Sequence, residues 1–282
     1  MVMIKLRSRQ NFYYEVFPLR EKEMKDLLKI ARKNWKKAVL GLKTSDYFKD
    51  FIINEKVRGR LAEFMEKELK ITKGSRVLDV GAGTGPLTIA LARKFKTSST
   101  DANLLSLKFV KYRAEQEKVK VDLYKTDTLD GGLPFKEQSF DAIVMNGVLE
   151  WVAMGLQKEK VKEVQMKTLK EMFRVLKKNG TFILAIENRF AFDWFRGKTS
   201  HMPIKFIDLM PRKLADIVCR IKTGKDFRTY IYSKFGYKKM LEDANFKEIE
   251  FYEAFPTYQK PQWIRKTRNL FANSYIVVGK KL

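Results

Sequence analysis

The chain has 282 residues, of which 45% are hydrophobic, and its 58 Lys and Arg outnumber its 33 Asp and Glu, for a formal net charge of +25. The hydrophobic content excludes a disordered chain, the single cysteine (Cys219) excludes an intrachain disulfide, and no apolar stretch reaches the length of a transmembrane helix. We therefore expect a globular, cytoplasmic protein whose positive charge attracts an anionic partner, such as nucleic acid, a lipid surface or a phosphorylated compound.

Helical spacing dominates the first 70 residues. Within EKVRGRLAEFMEKELK, residues 55–70, the apolar side chains recur at steps of three and four residues, as helices require. These side chains are Val57, Leu61, Phe64, Met65 and Leu69. We predict a helical N-terminal extension over residues 1–70 and a main domain over 71–282.

Strands and helices alternate from residue 76 onwards. The predicted strands are 76–80, 96–101, 119–126, 140–146 and 181–187. The predicted helices are 86–95, 104–117 and 161–180, the last one closed by Gly180 as its C-terminal cap. This alternation predicts an α/β fold with a parallel sheet covered on both faces.

Residues 189–232 are too long for a plain connection, and we predict that they form a lid or substrate insertion. Inside this segment, PRKLADIVCRIKTG reads as a helix with Pro211 at its first position and Gly224 after its end. Its apolar face with a basic rim suits either packing on the protein body or contact with an anionic membrane. A helix that begins after Ser233 and strands over 247–255 and 273–281 complete the chain.

A glycine-rich turn follows the first of these strands, in VLDVGAGTGPLTIALA, residues 77–92. A phosphate-binding loop would need Lys and Ser or Thr after its last glycine, whereas Gly85 is followed by Pro86. A dinucleotide fold would need its third glycine where Pro86 stands. The spacing therefore favours a cofactor without a pyrophosphate, and S-adenosylmethionine is such a molecule.

Two aspartates follow the next two strands. Asp101 ends the second strand, twenty positions after Gly81, where a carboxylate accepts hydrogen bonds from ribose hydroxyls. Asp127 follows the third strand and is placed to accept from an adenine amino group. Open α/β sheets bind ligands at the carboxyl ends of their strands, so the pair supports a nucleoside site there.

These segments, with LPFKEQSFDAIV, GVLEWV and FRVLKKNGTFILAIEN after them, resemble class I S-adenosylmethionine-dependent methyltransferases over about residues 70–190. The resemblance implies a Rossmann-like sheet of seven strands whose last strand, here 273–279, is antiparallel. It also implies S-adenosylmethionine as the cofactor. The implied cofactor contacts are Asp79, Gly81, Ala82, Gly83 and Gly85 at the methionine part, Asp101 at the ribose, Asp127 and Thr128 at the adenine, and Asn146 and Gly147 alongside.

The acceptor side is predicted beyond the fourth and fifth strands. Methyl transfer from a sulfonium needs an aligned acceptor and, for a hydroxyl, a group that takes its proton. His201 is the single histidine, and its unperturbed pKa suits a general base. We predict His201, Glu150 and Glu187 as catalytic residues and Trp151 and Asn188 as substrate contacts, each with an ordinary structural role as its alternative.

Several chemistries are disfavoured by the same residues. Methylation of a base carbon normally needs a cysteine near strand four or five, and Cys219 lies far downstream. Amino-group methyltransferases of the adenine or glutamine type share an N-P-P-Y-like loop where this chain has MNGVLEW. We predict no metal ligands; Asn146, Glu187 and Asn188 as an oxygen-ligand set are the minor alternative.

A second resemblance concerns the insertion. ENRFAFDWF, the His201 loop, LMPRKLAD, YIYSKFG and PTYQKP are similar to methyltransferases that accompany glycosyltransferases in surface-polysaccharide synthesis. This implies a glycan- or lipid-linked acceptor and a location at the membrane periphery. Our leading hypothesis is methyl transfer to an oxygen of a small-molecule or glycan/lipid-linked acceptor. The alternatives are an RNA methyltransferase and a non-catalytic scaffold that binds the cofactor.

Overall fold

The computed structural model describes residues 2–6, 21–126, 132–154, 156 and 160–282, with only the backbone described at 56–58. Within these residues, one mixed sheet carries nine strands in the order β1-β4-β3-β2-β5-β6-β9-β7-β8. The strands are β1 (Ile4–Leu6), β2 (Arg76–Val80), β3 (Lys96–Asp101), β4 (Val121–Lys125), β5 (Phe140–Asn146), β6 (Leu176–Glu187), β7 (Lys247–Phe255), β8 (Trp263–Lys266) and β9 (Ser274–Lys280).

Helices lie before the sheet in the chain and between its strands. They are α1 (Glu21–Ala31), α2 (Trp35–Leu40), α3 (Asp46–Ile53), α4 (Glu55–Lys67), α5 (Pro86–Ala92), α6 (Leu104–Gln116), α7 (Val161–Val175), α8 (Phe192–Phe195), α9 (Arg212–Thr223) and α10 (Lys234–Asp243), with a 3₁₀ turn at Ile207–Leu209. None of these helices combines the length and the apolarity needed to cross a membrane.

The predicted α/β fold is confirmed, and each of the seven predicted strands has a counterpart. β1 to β6 are parallel, and β9 runs antiparallel between β6 and β7. Two short strands were not predicted: β1 pairs with β4, and β8 pairs with β7. A strand of three or four residues carries too little periodicity to be recognised. The extension before residue 70 therefore contributes a strand as well as helices.

The predicted C-terminal cap at Gly180 is wrong. Helix α7 ends at Val175, and the chain continues directly into β6, where Leu176 pairs with Phe140. Asn179 then bends the strand with a φ of +61°, and a Cβ on Gly180 would lie 2.7 Å from the Lys177 carbonyl oxygen. Gly180 is needed for this close approach inside the strand and does not end a helix.

Apolar side chains of the central strands alternate between two faces of the sheet. Ile143 and Met145 face the core under α7 and α10, whereas Ala142 and Val144 face the core under α4 and α5. Both faces are buried, as a parallel sheet requires. The polar carboxyl ends of the strands are thereby left as the edge at which a ligand can enter.

The N-terminal helices are fastened to α6 through a buried arginine. The Arg113 guanidinium is fully buried, donates to the Ile52 carbonyl oxygen (2.8 Å) and pairs with Glu117 (2.8 Å). It also lies 4.0 Å from the centre of the Trp35 ring. One cation therefore holds α2, α3 and α6 together.

We expect Arg113→Ala to lower the free energy of unfolding by about 3–5 kcal/mol, because Glu117 and the Ile52 carbonyl lose a buried partner. Urea denaturation followed by circular dichroism measures this. Lys108→Ala, at an exposed position of the same helix, is the control and should change stability by less than about 0.5 kcal/mol. Equal midpoints for the two variants would contradict the role given to Arg113.

Candidate active site

The glycine turn between β2 and α5 has the backbone geometry that its sequence predicts. Gly81, Gly83 and Gly85 have φ values of +82°, +53° and +76°. A Cβ on Gly81 would lie 2.4 Å from Val148 Cγ2, and one on Gly85 would lie 2.7 Å from a methyl carbon of Val110. Both the left-handed backbone and the close packing therefore require glycine here.

A cavity of about 340 Å³ opens at the carboxyl ends of β2, β3 and β5. Its size falls in the range of small-molecule sites. The predicted cofactor contacts that line it are Asp79, Gly81, Ala82, Gly83, Asp101, Asn146 and Gly147. Gly85 instead lies outside this lining and precedes α5 as its N-cap. Asp127 and Thr128 fall outside the described residues.

Asp101 ties two of these strands together at the cavity. Its Oδ2 accepts from the Gly83 N–H (2.8 Å) and its Oδ1 accepts from the Asn103 N–H (2.7 Å). Burial raises the pKa of Asp101 to about 6, although the two backbone hydrogen bonds favour the charged form. The carboxylate is thus ionised at neutral pH and is lost as an acceptor in mild acid.

Asp79 lies at the cavity wall with part of its hydrogen-bonding capacity used inside the protein. Its side chain is buried, and its Oδ2 accepts from the hydroxyls of Thr88 (2.5 Å) and Ser99 (3.3 Å). These bonds join the end of β2 to α5 and β3. Asp79 therefore helps to hold the glycine turn in place as well as lining the cavity.

Two segments of the chain that were not predicted at the site also contribute to the cavity wall. Phe48 and Phe51 come from α3 of the N-terminal extension, and Tyr258 and Gln259 come from the segment after β7. Lys260 of that segment forms an ion pair with Asp50 of α3. The amphipathic spacing of α3 indicated a helix, but its position over the cavity depends on contacts between distant parts of the chain.

The three predicted catalytic residues lie together, and of the three His201 lines the cavity, whereas Glu150 and Glu187 are not among its described lining residues. His201 Nε2 lies 3.5 Å from Glu187 Oε2 and 3.9 Å from Glu150 Oε1. We call Glu150, Glu187 and His201 the carboxylate–histidine cluster. His201 lines the cavity, and so does Trp151, whose ring centre lies 4.3 Å from that of His201.

The cluster is buried and sparsely hydrogen-bonded. Glu187 Oε1 accepts from the Tyr258 hydroxyl (3.1 Å). Neither carboxylate oxygen of Glu150 has a hydrogen-bond partner among the described residues, and the same holds for Glu187 Oε2 and His201 Nε2. The side chain of Glu150 is fully buried, and 9% of the His201 side chain is exposed.

Burial and mutual charge shift all three pKa values. Burial and the charge of Glu187 raise the pKa of Glu150 to about 8. Burial alone would raise the pKa of Glu187, but the positive charge of His201 outweighs it and lowers that pKa. Burial alone would lower the pKa of His201, but the charges of Glu187 and Glu150 outweigh it and raise the pKa to about 9. The unperturbed pKa assumed for His201 from the sequence therefore does not hold.

Asn188 does not join these residues. Its side chain is buried, and its Nδ2 donates to the carbonyl oxygens of Leu270 (2.8 Å) and Ala272 (2.9 Å). It is not among the described residues that line the cavity. Its position fits an anchor for the segment before β9, and the predicted substrate contact is corrected accordingly.

Part of the chain matches a known protein family. Residues 78–184 match the family model described as a methyltransferase domain. The ribosomal RNA small subunit methyltransferase C of Hahella chejuensis is 31% identical over 52% of this chain and 43% of its own length. The demethylmenaquinone methyltransferase of Lactobacillus johnsonii is 32% identical over 40% of this chain and 44% of its own. The chain thus spans less than half the length of these two relatives.

Solved structures with a similar fold include methyltransferases. A methyltransferase of Thermotoga maritima, titled a possible histamine N-methyltransferase, has a TM-score of 0.54 at 18% identity and covers 84% of this chain and 96% of its own. A methyltransferase of Aquifex aeolicus has a TM-score of 0.52 at 15% identity and covers 85% of this chain and 100% of its own. The match over residues 78–184 and the shared fold both agree with the class I S-adenosylmethionine-dependent methyltransferase, and with the cofactor, expected from the sequence.

The residues that line the cavity fit S-adenosylmethionine. Asn146 Oδ1 and Thr84 Oγ1 are buried without a hydrogen-bond partner among the described residues, and both residues line the cavity. Buried acceptors without partners indicate a ligand that donates hydrogen bonds. The cofactor's ammonium and ribose hydroxyl groups are such donors, and the open glycine backbone leaves room for it.

We expect Asp101→Asn to weaken binding of S-adenosylhomocysteine, because a charged acceptor for the ribose hydroxyls is lost. The expected loss is about 1–3 kcal/mol by isothermal titration calorimetry. For the unmodified protein, lowering the pH from about 7.5 to 5 should weaken binding about tenfold, since a carboxyl with its pKa near 6 is protonated over that range. Asp101→Asn should abolish this pH dependence.

Asp122→Asn is the matched control, because Asp122 is an exposed acid on the neighbouring strand β4. It should leave both the affinity and its pH dependence unchanged. If Asp101→Asn binds as tightly as the unmodified protein, Asp101 does not hold the ribose.

Proposed function

We propose that the chain transfers the methyl group of S-adenosylmethionine to an oxygen of a small-molecule or glycan/lipid-linked acceptor. The observation that supports this is that one cavity is lined both by the glycine turn and Asp101 and by His201 and Trp151. A cofactor held by the turn and a polar acceptor beside His201 would share this cavity. Binding both in one cavity aligns an acceptor with a sulfonium methyl group.

The chemistry asked of the protein is modest. The acceptor oxygen forms a bond to the methyl carbon while the carbon–sulfur bond breaks, and the departing thioether is already a good leaving group. A hydroxyl acceptor must also lose its proton. Glu187 Oε2 and the two Glu150 oxygens have no hydrogen-bond partner among the described residues, and the neighbouring His201 lines the cavity. We assign proton removal and acceptor orientation to this cluster.

Glu187→Gln should reduce turnover by about 10²–10⁴-fold, because it removes a charge from the group that takes the acceptor proton. Its affinity for S-adenosylhomocysteine should stay unchanged. Transfer of labelled methyl groups into separate lipid, water-soluble and RNA extracts measures turnover. Glu163→Gln, on the exposed face of α7, is the control. Full activity of Glu187→Gln would exclude the cluster from the reaction.

The extract that becomes labelled also tests the rival proposals. An RNA methyltransferase is favoured by the likeness to a ribosomal RNA enzyme and by the net charge of +25. Labelled RNA whose binding weakens steeply with salt would support that activity over ours. Labelling of no extract, with the cofactor still bound, would favour the non-catalytic scaffold.

The lid segment supports a lipid-linked acceptor. Ala215 and Cys219 of α9 are buried, whereas Leu214, Ile217 and Ile221 are 47%, 55% and 79% exposed. The segment 189–232 carries ten Lys and Arg against four Asp and Glu. An exposed apolar face with basic neighbours suits an anionic lipid surface. We call Leu214, Ile217 and Ile221 the lid face and propose that it rests on the membrane.

Replacing the three lid-face residues by serine should reduce co-sedimentation with vesicles of phosphatidylcholine and phosphatidylglycerol, because apolar area no longer enters the interface. Cofactor affinity should not change. Ile30→Ser with Leu40→Ser, at exposed apolar positions of α1 and α2, is the control. Equal sedimentation of the two variants, or binding to pure phosphatidylcholine as strong as to the mixture, would contradict membrane docking by this face.

A further inference from the structure

The carboxylate–histidine cluster holds more electron-pair donors than its hydrogen bonds use. Four buried atoms lack hydrogen-bond partners among the described residues: both carboxylate oxygens of Glu150, Glu187 Oε2 and His201 Nε2. A buried polar atom without a hydrogen-bond partner destabilises the folded protein, and a charged one does so more strongly. Four such atoms at one place indicate that the protein binds something there.

The spacing of these atoms is that of ligands around a shared centre. The His201 Nε2 distances of 3.5 Å to Glu187 and 3.9 Å to Glu150 exceed those of hydrogen bonds. One ligand atom from each of the three residues lies within 4.8 Å of the other two. Two ligand atoms bound to one tetrahedral zinc ion are about 3.4 Å apart, given bonds of about 2.0–2.1 Å. A modest contraction would bring all three into coordination.

The cluster can also accommodate the charge of a divalent cation. In the described part of the chain, His201 is the basic side chain that forms ion pairs with Glu150 or Glu187, and no Lys or Arg there does so. At neutral pH Glu150 is protonated, so Glu187 and the imidazolium balance each other when no metal is bound. A divalent cation that displaces the protons of Glu150 and His201 meets two carboxylates and a neutral imidazole, and the charges again sum to zero.

The surroundings orient the donors as a metal site requires. The Tyr258 hydroxyl donates to Glu187 Oε1 and leaves Oε2 directed at the cluster. The Tyr237 hydroxyl donates to the Glu187 carbonyl oxygen (3.0 Å) and fixes the end of β6. Partners of this kind hold metal ligands in position.

We propose that Glu150, Glu187 and His201 bind a divalent transition-metal cation of the Zn²⁺ or Mn²⁺ type, with an open coordination position toward the cavity. Imidazole favours transition metals, and carboxylates suit Mn²⁺ as well as Zn²⁺. Three protein ligands with one open position are typical of catalytic sites. The cation's role in the reaction rests on the proposed function: held by the cluster, it would stabilise negative charge on the acceptor oxygen and lower the pKa of the acceptor hydroxyl, so that the proton would leave to water and not to a cluster side chain that acts as a metal ligand.

Binding is tested without any acceptor. The protein is freed of metal with a chelator and titrated with Zn²⁺, Mn²⁺ or Mg²⁺ by calorimetry. We expect one Zn²⁺ or Mn²⁺ per chain, and anomalous scattering at the metal absorption edge should place it between the three side chains. Glu150→Gln and Glu187→Gln should each weaken binding at least tenfold. Tyr258→Phe should weaken it by about tenfold or more.

Asp193→Asn is the matched control, since Asp193 is an acid of the lid segment that pairs with Lys198. It should bind the metal as the unmodified protein does. Circular dichroism and urea denaturation check that each variant is folded. If a glutamine variant does not fold, the scattering experiment on the unmodified protein decides.

Each outcome bears on the proposal. No bound Zn²⁺ or Mn²⁺ in the unmodified protein, binding of Mg²⁺ alone, or unchanged affinity in both glutamine variants would overturn it. Metal bound at the cluster with no methylation of any extract would support the site and contradict the proposed function. Methylation that persists at full rate in the metal-free protein would overturn the catalytic part alone.

Discussion

The cofactor cavity depends on one carboxylate at the end of β3. Asp101 accepts the Gly83 N–H with one oxygen and the Asn103 N–H with the other, so it joins the glycine turn to the start of α6. The glycines before α5 take left-handed conformations because they have no Cβ, and for the same reason Val148 and Val110 can pack where side chains would stand. Without the tie from β3, the turn would lose the partner that holds its backbone toward the cavity. The end of β3, the glycine turn, the start of α6 and the cavity all adjoin at Asp101.

Local patterns predicted most of the fold, and long-range contacts account for what they missed. The glycine spacing and the apolar runs of β2, β5 and β6 were predictable because they depend on residues that are close in the sequence. The end of α7 could not be read in the same way, because KKNG resembles a helix end but Leu176 is drawn into the sheet by Phe140. Asn188 likewise follows a strand as a site residue would, yet its amide is used by the carbonyls of Leu270 and Ala272.

The carboxylate–histidine cluster shows how much of a site can be predicted from residue types when their geometry is unknown. Glu150, Glu187 and His201 could be named because they follow strands four and five or are chemically distinctive. Their proximity could not be predicted, since His201 comes from an insertion whose path no periodicity reveals. Nor could their ionisation, because the pKa values near 8 for Glu150 and near 9 for His201 arise only when burial and mutual charge act together. The proximity of the three side chains and their shifted pKa values therefore arise only in the folded protein.

The lid segment links the two surfaces on which the proposed activity depends. It places His201 inward on the cavity, and it leaves Leu214, Ile217 and Ile221 exposed on α9. Arg189 at its start donates to the carbonyl oxygens of Asp208 (2.9 Å) and Met210 (2.9 Å), which fixes the approach to α9. If the lid face rests on a membrane as proposed, an acceptor held there would reach the cluster through the same segment that carries His201, which gives one structural reason for placing the histidine in an insertion and not on the sheet.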